Sequence, residues 1–164
     1  MEPTTLRTAL NLFLPADRIR QRDQQLGGQQ RQRKRDVVAL VRSLVLATGS
    51  DDSGRQADAF SAYLLAADTP VGRSAFYAWF TMPLAYLFSY LLKDALNIVR
   101  DLPPILTGAL AGMKDWRAVD SETVTLRPDL HSFFPATSTR AGLKIHKTYS
   151  FGRNNIVDFH LSPA

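Results

Sequence analysis

Over the first two thirds of the chain the apolar positions recur with the period of a helix. From Asp36 to Ala47, residues Val37, Leu40, Val41, Leu44 and Val45 form a single stripe, and Gly49 is the predicted stop. Ser53 to Ala67 repeats the pattern through Ala57, Phe60, Tyr63, Leu64 and Ala67. Asp68-Thr69-Pro70-Val71-Gly72 predicts a turn, and a further helix is expected from Arg73. Upstream, Gly27-Gly28 interrupts a hydrophilic stretch. That predicts a short helix from about Pro15 to Leu26, a break, and a second helix that begins too early for Asp36 to cap it.

Ser74 to Leu92 carries no charge for nineteen positions, which is long enough to cross a bilayer. Tyr77, Trp79, Thr81, Pro83, Tyr86, Ser89 and Tyr90 interrupt it, however, and Pro83 after Thr81 marks a helix boundary. Two buried helices are therefore expected, reaching Asp101, halted by Pro103 and Pro104, and resuming briefly to Gly112. Beyond Gly112 the period changes. Trp116 to Leu126, Leu143 to Phe151 and Ile156 to Leu161 read as strands, and Gly152-Arg153-Asn154-Asn155 as the hairpin that makes the last two antiparallel. The expected class is α+β, with a helical region over 1–112 and a strand region over 113–164.

Composition narrows the classes. At 45% apolar and 21% charged residues, the 164-residue chain can form a core. Without cysteine it holds neither disulfides nor a thiolate zinc site, so a reducing cytoplasm is expected. The start, MEPTTLRTALNLFLPADR, lacks the basic beginning and cleavage site of a secretory signal. A net charge of +5 suits a polyanionic partner. Most of the clustered base lies in Arg18, Arg20, Arg22, Arg31, Arg33, Lys34 and Arg35, interleaved with glutamine. Arg31 to Arg35 is a candidate phosphate clamp, although such a cluster is more commonly a solvated face or helix end.

Two places carry candidate chemistry on the strands. Asp120 lies in mid-strand, where burial would demand a metal or a counter-charge. Glu122 falls on the same face, and the two carboxylates could share a divalent cation; at a sheet edge both would instead be solvated. Lys144 and His146 share the opposite type of face, away from Leu143, Ile145, Tyr149 and Phe151, whose set Lys147 breaks. That polar face could meet phosphate or be the wet side of the sheet. His131, His146 and His160 show no metal-ligand spacing, and no serine or cysteine triad can be argued. In the helical region, Ser53 to Ala67, the turn, and Arg73 to Phe80 have the length of a helix-turn-helix that would present Arg73, Ser74 and Tyr77 to DNA; an ordinary helix pair has the same length.

The order of features is more specific than any one of them. LPAD, RQRKR, an α region, WRAVDSETVTLRPDL, FPAT, AGLKIHKTYS and NNIVDFHLSPA follow one another. In this order the chain resembles bacterial insertion-sequence transposases of the DDE type, in the group named after insertion sequence four. The resemblance implies an α-helical DNA-binding region followed by the first three antiparallel strands of an incomplete ribonuclease-H-like domain. It places Asp120 on the first catalytic aspartate, which shares Mg²⁺ with a later Asp and a later Glu for in-line phosphoryl transfer. The sequence given ends at Ala164 with no counterpart of those two acids, and Glu122 stands where the family has a small or hydroxylated residue. The expectation is thus a transposase fragment, inactive alone, that binds the double-stranded DNA of element ends in the nucleoid. Its uncovered sheet predicts self-association. The alternatives are a non-catalytic DNA-binding repressor and a small helical membrane protein built around Ser74 to Leu92.

Overall fold

A computed structural model describes residues 3–27, 35–48, 56–137 and 140–164. It is a mixed helix and sheet structure in two compact units, Met1–Ala95 and Leu96–Ala164.

The first unit is helical: α1 (Pro3–Phe13), α2 (Ala16–Gln25), α3 (Val37–Thr48), α4 (Gln56–Ala66), the short α5 (Arg73–Tyr77) and the start of α6 (Met82–Asp101). Helix α1 goes beyond the elements that periodicity predicts; its Leu10 and Phe13 lie against the core. Gly27 leaves α2 at φ 72°, a left-handed conformation that costs a glycine little. Contrary to expectation, Asp36 does cap a helix. Because α3 starts at Val37, the Val38 and Ala39 amides donate to Asp36 Oδ1 at 2.9 and 3.0 Å, and the Asp36 amide donates to the Tyr63 hydroxyl at 3.2 Å. Gly49 lies outside the described residues.

The predicted apolar stripes meet in a core that includes Ile19, Leu40, Val41, Tyr63, Phe76, Leu87 and Leu91. Phe76 sits among the rings of Phe60, Tyr63, Tyr77, Trp79 and Phe80, with centroids 5.3 to 6.0 Å away. Edge-to-face pairs of this kind add to the burial of the rings themselves. Pro83 falls at the first turn of α6, where its missing N–H costs nothing. Among the described residues no helix is long and apolar enough to cross a membrane.

The second unit holds the end of α6 and an antiparallel sheet in the order β1 (Arg117–Leu126), β2 (Ala141–Ser150), β3 (Asn155–Pro163). The expected hairpin closes through residues 151–154, with Asn154 at φ 49° and a bulge between Thr148 and Tyr149. The unit begins earlier than the change of period at Gly112, because the end of α6 and the proline segment are bonded to the hairpin. Arg100 Nε donates to the Val157 carbonyl at 2.7 Å, the Ile105 amide to the Gly152 carbonyl at 2.7 Å, and Arg153 Nε to the Leu102 carbonyl at 2.8 Å.

Asp115 organises the same end of the sheet. Ser150 Oγ donates to its Oδ1 at 2.8 Å, Arg117 Nε and Arg153 Nη1 to its Oδ2 at 3.0 and 2.9 Å, and the Gly152 amide to Oδ1 at 3.3 Å. Burial favours its neutral form, but the hydrogen bonds from Ser150, Arg117 and Gly152 and the Arg153 charge prevail, holding its pKa below 3.8.

Candidate functional site

Strand alternation sorts the sheet into two faces. On one, Asp120, Glu122 and Val124 of β1 stand opposite Lys147, Ile145 and Leu143 of β2, which in turn face Phe159 and Leu161 of β3 for Lys147 and Ile145. The residue types are apolar except where Asp120, Lys147 and Glu122 interrupt them. Lys147 Nζ donates to Glu122 Oε2 at 2.6 Å. This hydrogen bond and the Glu122 charge, with a smaller contribution from Asp120, raise the lysine pKa above 10.5 against the opposing effect of burial.

Asp120 is exposed, as is β1 along its length except at half-buried Leu126. The strand lies at the sheet edge, so the carboxylate is exposed to solvent and burial does not demand a metal or a counter-charge for it. Its Oδ1 accepts the Ser121 amide at 2.8 Å. A resident Mg²⁺ requires several oxygen ligands at the corners of an octahedron. Here Glu122 is engaged by Lys147, whose position in the register is opposite Asp120, and no group of three His, Asp or Glu side chains converges among the described residues. The donor set present does not fit a bound Mg²⁺.

The other face is polar, as expected for Lys144 and His146. Two rows cross it: Thr123, Lys144 and Ser162, then Ser121, His146 and His160. The two imidazoles stack with centroids 5.7 Å apart and planes 29° from parallel. His146 Nε2 lies 3.1 Å from Ser162 Oγ. His160 and Ser162 join this face only when the strands are counted outward from the hairpin turn and across its bulge; the sequence carries that signal in the Gly152-to-Asn155 turn.

The basic residues of the helical unit divide differently. Arg31, Arg33 and Lys34 lie outside the described residues. Arg35 is not available to a phosphate, contrary to expectation. Its side chain is 4% exposed and paired with Asp23, itself 5% exposed, because Asp36 starts α3 beside α2 and turns the preceding arginine inward. Arg22 Nη2 reaches Asp94 Oδ1 at 3.5 Å and its guanidinium lies 5.2 Å from the Tyr90 ring centre, joining α2 to α6.

The expected recognition helix is also corrected. Helix α5 has five residues, and 78–79 follow as a turn. Tyr77 is half-buried, 5.6 Å from the Phe76 ring and 6.0 Å from that of Phe80, so it does not present its face to a base. Arg73 and Ser74 are exposed, the former 5.8 Å from the Phe60 ring centre.

An apolar groove of about 710 Å³ runs past Leu44, Val45, Phe80, Met82, Leu84 and Phe88. Among the described residues no charged side chain lines it, and its polar side chains are the hydroxyls of Thr48 and Thr81. Comparisons with protein-family models, curated proteins and solved structures return no match.

Proposed function

We propose that the chain is the N-terminal part of a DNA transposase of the insertion-sequence-four group, whose helical unit binds the ends of the element at the bacterial nucleoid. Asp120 is then the first of three metal-binding carboxylates in a ribonuclease-H-like domain. The observation that carries this reading is topological. A helical unit precedes three sequential antiparallel strands, and Asp120 lies midway along β1, whose outer edge has no strand beside it among the described residues.

On this reading cleavage and strand transfer belong to a complete site in which further carboxylates join Asp120 around Mg²⁺; the share of this chain is recognition of DNA. A second reading, binding without cleavage in the manner of a repressor, is favoured by the Lys147–Glu122 pair. It places an ammonium where a cation would have to enter.

Selection from a random pool of duplexes tests the reading. The expected result is one enriched sequence that recurs as an inverted repeat on both sides of the coding segment. Glutamine at Arg31, Arg33 and Lys34 should lower the slope of log K against log salt by about 0.9 for each phosphate that is no longer neutralised. A pool that shows no enrichment overturns the proposal.

A further inference from the structure

The polar face of the sheet has a composition that the helical unit does not account for. Its two central rows place Lys144, His146 and His160 beside the hydroxyls of Ser121, Thr123 and Ser162. None of these six is an acid. In the next row of this face Asp158 stands opposite Thr148, and Arg100 Nη2 already holds its carboxylate at 2.6 Å. Asp120 and Glu122 alternate to the other side of β1, where Lys147 faces them. The face is thus rich in donors, with one fixed cation and two groups that become cations on protonation.

We propose that this face contacts the phosphodiester backbone of nucleic acid, and that His146 and His160 make the contact proton-dependent. The inference deepens the DNA-binding reading and rests on it. Charge complementarity selects the partner: an array of donors without acceptor carboxylates repels cations and attracts closely spaced anions. Stacking supplies the proton dependence. Two imidazoles 5.7 Å apart repel each other when both are charged, and a phosphate beside them offsets that repulsion. Binding the backbone therefore draws protons onto the pair. By linkage, protonation of the pair and binding of the backbone favour each other. The Ser162 hydroxyl, 3.1 Å from His146 Nε2, fixes the orientation of that ring in the free protein.

The test uses the full chain and a random-sequence duplex of about 20 base pairs, with anisotropy titrations over a range of salt at about pH 6 and about pH 8. The wild-type slope of log K against log salt should steepen at the lower pH by roughly 0.9 for each imidazole engaged. In the H146Q/H160Q double variant the slope should be equal at the two pH values. Lys144→Gln should flatten the slope by about the same amount at both. His160 is exposed whereas Lys144 and His146 are half-buried, so Trp116 fluorescence serves as the folding control for each variant. Equal steepening in the double variant, or a wild-type slope independent of pH, overturns the inference alone and leaves the reading of the helical unit standing. Perturbation of the two imidazole NMR signals by inorganic phosphate but not by duplex overturns nucleic acid as the partner. A pH-dependent slope without preference for element ends supports the inference while removing the transposase reading, and no binding to any duplex overturns both.

Discussion

The helical unit and the sheet solve opposite problems with their apolar residues. In the first, residues from α2 to α6 converge on one cluster, and Trp79 in that cluster is 5% exposed. In the second, the buried apolar residues are few, Val99, Ala141 and Val157 among the described positions, and Trp116 is 53% exposed. What holds the sheet end together is polar: the Asp115 cluster and the arginines that reach backbone carbonyls. The helical unit is therefore held by burial, which is non-directional and tolerant of similar shapes. The sheet is held by directional bonds, which fail one group at a time.

The chain has two tryptophans, one in each unit, so single-tryptophan variants can follow the units separately. The largest expected effect is in the helical unit. Phe76→Ala removes the ring that five other aromatic residues surround and should cost about 3–5 kcal/mol, read as a lower urea midpoint by Trp79 fluorescence. An unchanged midpoint would mean that the aromatic cluster is not what holds the unit.

A smaller effect belongs to the hairpin. A Cβ at Gly152 would lie 2.6 Å from Pro104 Cβ, part of a rigid ring, and 3.0 Å from Asp115 Oδ1, which hydrogen bonds from Ser150 and Gly152 hold in place. Gly152→Ala should cost about 1–3 kcal/mol by Trp116 fluorescence, since overpacking must displace the proline segment. If the Trp79 signal moves equally, the two units do not respond separately to local damage.

The smallest effect is a dependence on pH. Asp115 has its pKa lowered on folding, so its contribution is present above 3.8, the ordinary value, and is lost as the pH falls through the folded value. Urea midpoints between about pH 5 and pH 2 should therefore fall for the sheet, and fall less in Asp115→Asn. Equal acid sensitivity in that variant would assign the loss to other carboxylates.

The same contrast explains what could be read along the chain. The stripe of Val37, Leu40, Val41 and Leu44 and the hairpin at Gly152 are local patterns with one dominant solution, and both elements form as expected. Arg35 could not be read in this way. Its inward turn depends on Asp23, twelve residues earlier on a different helix, and a run of arginines looks identical whether it faces solvent or a carboxylate. Asp120 illustrates a further limit. Its spacing assigns it a face and a neighbour, but its exposure follows from β1 being at the edge, which strand order decides. The placement of Lys147 opposite it required the register between β1 and β2, which depends on a long connection from Leu126 to Ala141 that no turn signal fixes.

The bonds around Asp115 also bear on which amides of the sheet exchange with solvent deuterium last. In an ordinary hairpin the turn frays first and the middle of the strands outlasts it. Here the turn amides of Phe151, Gly152 and Arg153 each have an acceptor, in Trp116, Asp115 and Ser150 respectively. On β1, by contrast, the amides that point away from β2 have no strand beside them among the described residues, and that of Ser121 has only the adjacent Asp120 carboxylate as acceptor. Protection should thus run inverted, greatest at the tip of the hairpin and least along the strand that carries Asp120.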